Sequence, residues 1–166
     1  MKRLLTVLFA GLLLAVPAAS VSAQDRSNTV TGARKGDVEI QAARDEARRT
    51  LPDFWRRIDA DPQLREKASL KVEFEKGENS EAMWVGQLRR SPDGRITGVL
   101  NNTPVMVTNV KQGDAVTVDP DLIMDWTYHR GGRAWGHYTT RVLLGRMPAH
   151  QRAVYDGYFS DTPVEP

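Results

Sequence analysis

The sequence predicts a single α+β domain, in which an N-terminal kinked helix packs on a strongly curved, mostly antiparallel sheet or small barrel of about six to seven strands. Three observations support this prediction. Apolar residues recur every three or four positions between Asp37 and Asp59, which is the period of a helix. From Ala68 onward the apolar period changes to two, which indicates strands. Turn signals such as Ser91-Pro92-Asp93-Gly94 then recur at short intervals and favour antiparallel connections.

The first 23 residues have the pattern of a secretory signal peptide. Lys2 and Arg3 form a positive n-region, and an apolar run of 13 residues, Leu4 to Val16, follows them. Val21-Ser22-Ala23 supplies compact residues before a cut after Ala23. Because the run is short for a transmembrane helix, we expect a periplasmic or secreted protein with no stable membrane anchor after cleavage. An uncleaved N-terminal anchor is the alternative.

Charge and cysteine content exclude several classes of function. The chain has 23 Lys and Arg against 21 Asp and Glu, and cleavage after Ala23 would remove two basic residues and no acidic one. A mature chain without net charge argues against a nucleic-acid binder that neutralises phosphates, and against a polybasic membrane-surface protein. The chain has no cysteine, which excludes disulfides, thiol nucleophiles and zinc–thiolate sites. No cofactor is predicted.

The predicted helix follows a polar leader at residues 24–36 and opens a domain that extends from 37 to 146. Its apolar side chains fall on one stripe. Pro52 interrupts this segment and predicts either one kinked helix or two nearly coaxial helices, because proline lacks an N–H group. The stripe consists of Ile40, Ala43, Ala47, Leu51, Phe54 and Ile58.

Seven strands are predicted after the helix. The last two form a hairpin around Gly131-Gly132, and a C-terminal tail from 147 to 166 has room for a short helix. The first strand begins at Ala68, and the others cover Ala82–Leu88, Arg95–Leu100, Val105–Val110, Ala115–Val118, Met124–Arg130 and Ala134–Leu144.

Several motifs, in this order, resemble a bacterial family of domains of unknown function, the YegJ-like proteins. They are Ala47–Phe54, Leu70–Phe74, Met83–Val85, Gly98–Asn102, Gly113–Val116, Asp125-Trp126 and Gly136–Leu143. The resemblance covers most of the mature chain and implies a compact α+β domain, often exported, without an established reaction or cofactor. It supplies no catalytic residues that could be transferred to this chain.

The final hairpin carries the candidate binding residues. With a two-residue turn at Gly131-Gly132, Trp126, Tyr128, Trp135 and His137 share one face, and Arg141 lies one step further along it. Aromatic and arginine side chains are concentrated at binding surfaces, so this face is a candidate site for a protein or small-molecule partner. The competing interpretation is a core packed under the helix.

Neither a catalytic nor a metal site is predicted. The hairpin register places Asp125 and His137 on opposite faces, and it also separates His129 from His137. Asp119, Asp121 and Asp125 resemble a calcium loop but lack its glycine and terminal glutamate.

We therefore expect a non-enzymatic binding module that uses the hairpin face. The first alternative is a hydrolase-type enzyme using His137 with Asp125 and Tyr138, which requires a different hairpin register. A structural or envelope-stress protein without a discrete ligand is the second alternative.

Overall fold

The computed structural model describes residues 36–166, so the predicted signal peptide and residues 24–35 of the predicted leader lie outside the described residues. None of the helices between residues 36 and 166 is long and apolar enough to span a membrane. The elements are α1 (Val38–Ala60), α2 (Pro62–Glu66), β1 (Ala68–Lys76), β2 (Asn79–Arg90), β3 (Ile96–Leu100), β4 (Ala115–Val118), β5 (Ile123–Arg130), β6 (Arg133–Gly136), α3 (Tyr138–Arg146) and α4 (Ala149–Arg152), with 3₁₀ turns at Pro120–Leu122 and Ala153–Tyr155.

The six strands form one sheet in the order β4-β3-β2-β1-β5-β6, and all five pairs are antiparallel. The α+β prediction, with a helix packed on an antiparallel sheet, is confirmed. The barrel alternative is wrong, because β4 and β6 lie at opposite edges and do not pair with each other. The C-terminal tail lies along the β6 edge instead.

Helix α1 runs through Pro52 without interruption. The side chain of Asp37 caps its first turn by accepting a 3.2 Å hydrogen bond from the Ile40 backbone nitrogen. The predicted stripe faces the sheet, with Phe54 and Ile58 fully buried and Leu51 half-buried. One apolar face is therefore enough to hold the helix on the sheet across its proline.

The core lies between α1 and the sheet. A row of directly opposed residues, Leu100, Val85, Leu70 and Trp126, crosses β3, β2, β1 and β5. Each of these side chains is at most 1% exposed. The Phe54 ring of α1 packs on this row, with its centroid 5.3 Å from that of Trp126. The period of two in the strands thus places their apolar side chains under the helix.

The segment predicted as the strand Val105–Val110 is an irregular loop. The carboxylate of Glu81 accepts hydrogen bonds from the backbone nitrogens of Val105, Met106 and Val107, at 2.9, 2.8 and 3.4 Å. These three amides therefore point at one side chain and cannot form a ladder with a neighbouring strand.

The C-terminal tail is part of the folded domain. It contains the short helix α4 (Ala149–Arg152). Beyond it, the Ala134 nitrogen donates to the Tyr158 carbonyl at 2.8 Å, and the Ser160 nitrogen donates to the Ala134 carbonyl at 3.0 Å. The Gly136 nitrogen likewise donates to the Pro163 carbonyl, at 2.8 Å. The tail thus satisfies backbone groups on the outer edge of β6.

Candidate functional site

The hairpin has the predicted register over the four residue pairs next to its turn. Arg130 pairs with Arg133, and Tyr128 pairs with Trp135. The prediction that the second strand continues to Leu144 is wrong. Strand β6 ends at Gly136, where φ is +78°, and His137 follows with φ of +57° before α3 begins. These two left-handed residues turn the chain out of the sheet.

The shared face predicted for the five candidate residues is therefore wrong. His137 and Arg141 lie beyond the end of β6, so alternation along a strand does not determine their direction. Trp126 and Tyr128 keep their predicted face and stack with their rings 5.7 Å apart.

Trp126 and Tyr128 belong to the core under α1. They are 1% and 0% exposed, respectively. The Trp126 indole nitrogen donates hydrogen bonds to the Ala47 carbonyl at 3.0 Å and to the Thr50 hydroxyl at 3.1 Å, both on the buried side of α1. These two aromatic residues are not an open surface, because the helix covers them.

Of the other three candidates, His137 is buried, whereas Trp135 and Arg141 are half-buried. The Trp135 ring stacks on Tyr128 with centroids 6.4 Å apart. The guanidinium of Arg141 holds the chain around it, donating to the Gly136 and Ser160 carbonyls and to the Ser160 hydroxyl, each at 2.8 Å. Ligand binding by the five residues stays a prediction, and only Trp135 and Arg141 have side chains that solvent reaches in part.

Asp125 and His137 do not form a catalytic dyad. The carboxylate of Asp125 accepts hydrogen bonds from the backbone nitrogens of Trp126, Tyr138 and Thr139 and from the Thr139 hydroxyl. His137 Nδ1 lies 3.4 Å from the Thr140 hydroxyl, and its buried Nε2 has no hydrogen-bond partner among residues 36–166. Neither imidazole nitrogen is bonded to the carboxylate.

Tyr138, the third residue of the hydrolase alternative, directs its hydroxyl to helix α1. The hydroxyl of Tyr138 is 2.9 Å from the hydroxyl of Thr50 on α1. Burial raises the pKa of the Asp125 carboxyl and holds the pKa of the His137 imidazole well below its usual value. Both shifts come from removing the groups from water, and neither comes from a hydrogen bond between acid and base.

No metal site is found among residues 36–166, where no three acidic or histidine side chains come together. The acidic segment that resembles a calcium loop forms a 3₁₀ turn. There the Asp119 carboxylate accepts a 2.9 Å hydrogen bond from the Asp121 nitrogen and so caps the turn.

A pocket of about 520 Å³ lies between α2 and an irregular stretch of β2, and we call it the bulge pocket. The β2–β3 register shifts between Gly86 and Arg89, and Gln87 has φ of +50°. Such an extra residue bends a strand and changes where its side chains point. The lining residues are Pro62, Arg65, Glu66, Gln87, Leu88, Arg89 and Arg90.

The bulge pocket is lined by three arginines, which differ in their partners. Asp59 forms ion pairs with Arg65, at 3.1 Å, and with Arg90. The Arg90 guanidinium also lies over the Trp55 ring, 4.7 Å from its centroid. Arg89 is exposed and makes no hydrogen bond or ion pair with any residue in the described part of the chain. The pocket therefore holds a guanidinium whose donors are not used by any of residues 36–166.

The bulge pocket was not predicted from the sequence, although the sequence contains a signal for it. The β2 side chains in the core under α1 are Met83, Val85 and Leu88, so their spacing changes from two to three next to Gly86. A glycine and a change of parity inside a strand indicate a bulge. The position of α2 opposite this bulge depends on the tertiary structure.

The family described as "Uncharacterized protein conserved in bacteria (DUF2314)" matches residues 37–160. The chain belongs to this family. The resemblance seen in the sequence motifs is thereby confirmed, and the matched DUF2314 region includes α1, the whole sheet and α3.

Two curated relatives are similar in sequence to this DUF2314 chain. It is 34% identical over 131 residues to a putative ankyrin repeat protein of Neisseria meningitidis serogroup B, covering 74% of this chain and 51% of the relative. It is 35% identical over 72 residues to the uncharacterized protein YegJ of Escherichia coli strain K12, covering 43% of this chain and 46% of YegJ. The chain thus spans about half the length of the curated relatives it matches. No solved structure gives a significant match.

Proposed function

We propose that this DUF2314 chain is an exported, non-enzymatic binding module that holds an anionic group of its ligand in the bulge pocket. The observation that carries the proposal is the Arg89 guanidinium, which has no partner in the described part of the chain and lies in a pocket that Arg65 and Arg90 also line. Arginine presents several N–H donors in a planar fork that matches carboxylate and phosphate oxygens.

The charges around the pocket favour an anion. Three arginines line it and Glu66 is the only acidic lining residue, while Asp59 beside it pairs with two of the arginines. Asp59 holds Arg65 and Arg90 in place, so an anion meets positioned guanidiniums at a low cost in side-chain entropy.

The size of the pocket suits a small molecule or the end of a protein chain. Its volume of about 520 Å³ lies within the usual range for ligand sites, roughly 300–1,000 Å³. Both kinds of partner can present the same carboxylate or phosphate group, so the shared chemistry is what we propose.

The name of the Neisseria relative supports a binding role. That protein is described as a putative ankyrin repeat protein, and the region aligned with this chain is 51% of it. Ankyrin repeats stack into surfaces that bind other molecules. A domain that binds a further ligand is compatible with such a protein.

The hydrolase alternative has weaker support. It needs an imidazole oriented by a carboxylate, and the Asp125 oxygens are instead bonded to the start of α3. The hairpin alternative depends on Trp135 and Arg141, and the donors of Arg141 are already bonded to the chain.

Anion titrations of the isotope-labelled mature protein test the pocket. Sodium phosphate and sodium acetate are added separately, at an ionic strength held constant with sodium chloride, and backbone amide shifts are followed by NMR. We expect saturable shifts at residues 87–90. Arg89→Gln should weaken binding about tenfold, since a hydrogen bond to a charged group is worth roughly 1.5–3 kcal/mol.

Arg95→Gln is the matched control, because Arg95 is exposed on the β2–β3 turn outside the pocket. Unchanged binding by the Arg89→Gln protein contradicts the proposed site. Shifts confined to the hairpin and abolished by Trp135→Ala would assign the ligand to the hairpin instead.

Export has a separate test. Expression of the full chain, followed by cell fractionation and intact mass measurement, should give a periplasmic or secreted protein that begins at Gln24. Retention of residues 1–23 in a cytosolic product contradicts this part of the proposal.

A further inference from the structure

The face of the sheet opposite α1 carries a polar cluster around Lys71. Lys71 follows the buried Leu70 and points to the other face, where it pairs directly with Trp84 on β2 and Asp125 on β5. We call these three residues, with Thr127 and His137, the far-face cluster. The ring of His137 lies 4.9 Å from that of Trp84.

Asp125 cannot offer Lys71 a hydrogen bond without losing one elsewhere. Its Oδ1 atom accepts from the nitrogens of Trp126 and Tyr138, at 2.8 and 3.1 Å. Its Oδ2 atom accepts from the nitrogen and the hydroxyl of Thr139, at 2.8 and 2.7 Å. Two hydrogen bonds on each oxygen use the usual acceptor capacity of a carboxylate.

The Lys71 side chain is half-buried beside the Trp84 ring. Its Nζ atom lies 5.5 Å from the centroid of the Trp84 ring. The side chain makes no hydrogen bond or ion pair with the residues that the structure describes. Burial lowers the pKa of Lys71, and the charge of Asp125 opposes this effect only in part.

Two further polar atoms of the cluster lack partners. The hydroxyl of Thr127 and Nε2 of His137 are buried without a hydrogen bond to any residue that the structure describes. Buried polar groups are nearly always paired, so unpaired ones in the same cluster as a half-buried amine indicate a site that a small polar molecule can complete.

We propose that Lys71 is a reactive amine that condenses with the carbonyl group of a small aldehyde or ketone. The lone pair of the neutral ε-nitrogen attacks the carbonyl carbon, and a C–N bond forms as the carbonyl π bond opens to a hydroxyl. Water then leaves with the carbonyl oxygen and both hydrogens of the amine, which gives an imine. This condensation needs no oxidant or reductant.

This step requires the neutral amine, and the partial burial of Lys71 favours that form by lowering its pKa. Two titratable groups face Lys71: Asp125 on β5, whose charge favours the ammonium, and His137 after β6, which is neutral when buried. The site lies on a different part of the sheet from the bulge pocket, so it does not depend on the proposed anion site.

Reductive labelling of the folded mature chain tests the proposal. The protein is treated briefly with propanal and sodium cyanoborohydride, a hydride donor that traps the imine as a secondary amine. Labelled peptides are quantified by mass spectrometry across a pH series. Lys67, Lys76 and Lys111 are exposed and serve as reference lysines within the same molecule.

We expect Lys71 to be labelled faster than the three reference lysines at pH 7, and its rate to reach half-maximum at a lower pH than theirs. Each unit between the two midpoints corresponds to about a tenfold difference in the fraction of neutral amine. Equal or slower labelling of Lys71 overturns the proposal. The comparison needs no substitution, so misfolding of a variant cannot obscure it.

Lys71→Met and Lys67→Met form a matched pair for the same reaction. The first should remove the fast phase of labelling, and the second should leave it unchanged. A fast phase that persists in the Lys71→Met protein assigns the reactive amine to another lysine and also overturns the proposal.

Discussion

Thr139 donates two hydrogen bonds to the same oxygen of Asp125, one from its backbone nitrogen at 2.8 Å and one from its hydroxyl at 2.7 Å. Asp125 lies on β5, and Thr139 is in the first turn of α3. His137, at the N-cap position of that helix, makes no capping bond with its side chain. A carboxylate from a neighbouring strand therefore caps α3, and its negative charge suits the positive end of the helix.

Asp125→Asn should lower the free energy of unfolding by about 2 kcal/mol. The amide nitrogen cannot accept the hydrogen bonds that one carboxylate oxygen now receives, so two donors would face each other in a fully buried place. Urea denaturation measures the loss. Asp156→Asn, at an exposed position, is the control and should stay near the parent value.

Stability should fall as the pH drops below about 6.5, because His137 is buried as a neutral group. Its pKa is lowered in the folded state, so the unfolded chain binds the proton first. In that window one histidine contributes up to about 1.4 kcal/mol per pH unit. Burial lowers the pKa of His129 in the same direction, whereas the raised pKa of Asp125 acts in the opposite direction.

Denaturation curves at pH 7.5, 6.5 and 5.5 should therefore show a smaller slope against pH for His137→Asn than for the parent. Asparagine is chosen because it tolerates the left-handed backbone of residue 137. His150→Asn, on the exposed face of α4, is the control. An identical slope in the His137→Asn protein would refute this prediction.

Gly136→Ala should be among the most damaging single substitutions, with a loss of about 4 kcal/mol or more. A Cβ at residue 136 would lie 2.1 Å from the Trp126 carbonyl oxygen, and φ there is +78°. Gly145→Ala is the matched control within α3, where a Cβ meets nothing within 4 Å. It should instead stabilise the protein by up to about 1 kcal/mol. Thermal melts that show equal effects of the two would contradict the structure.

Glu165→Gln should destabilise the attachment of the C-terminal tail by about 1–2 kcal/mol. The Glu165 side chain is 18% exposed and pairs with Arg57 at 2.6 Å and Arg130 at 2.7 Å. Hydrogen exchange at the Ala134 and Gly136 amides, which are bonded to the tail, should quicken. Glu78→Gln in the exposed β1–β2 turn is the control, and similar exchange in both variants would argue against this role.

Helix α1 shows how far local pattern can be trusted. The spacing of Ile40, Ala43, Ala47, Phe54 and Ile58 predicts the helix and its buried face, and all five side chains are buried. The spacing was sufficient because contacts between residues three or four positions apart are fixed by helix geometry alone. The start of β1 at Ala68 and the bounds of β4 were also predictable from local pattern, because side chains alternate between two faces along a strand.

The end of the hairpin was not predictable in this way. Alternation of apolar residues past Gly136 indicates a strand, but Asp125 binds the amides of Tyr138 and Thr139 and so favours a helix there. The loop at 105–107 departs from its predicted strand because Glu81 takes its amides. In both places a side chain distant in sequence decides the backbone conformation.

The order of the residues by itself determined that this chain is an α+β domain with a helix on an antiparallel sheet, because apolar periodicity is a local property. The tertiary structure decided which aromatic residues α1 covers. It also decided that Asp125 lies opposite Lys71 on the neighbouring strand and that α2 faces the bulge of β2. These relationships depend on contacts between residues far apart in the chain, and no local period encodes them.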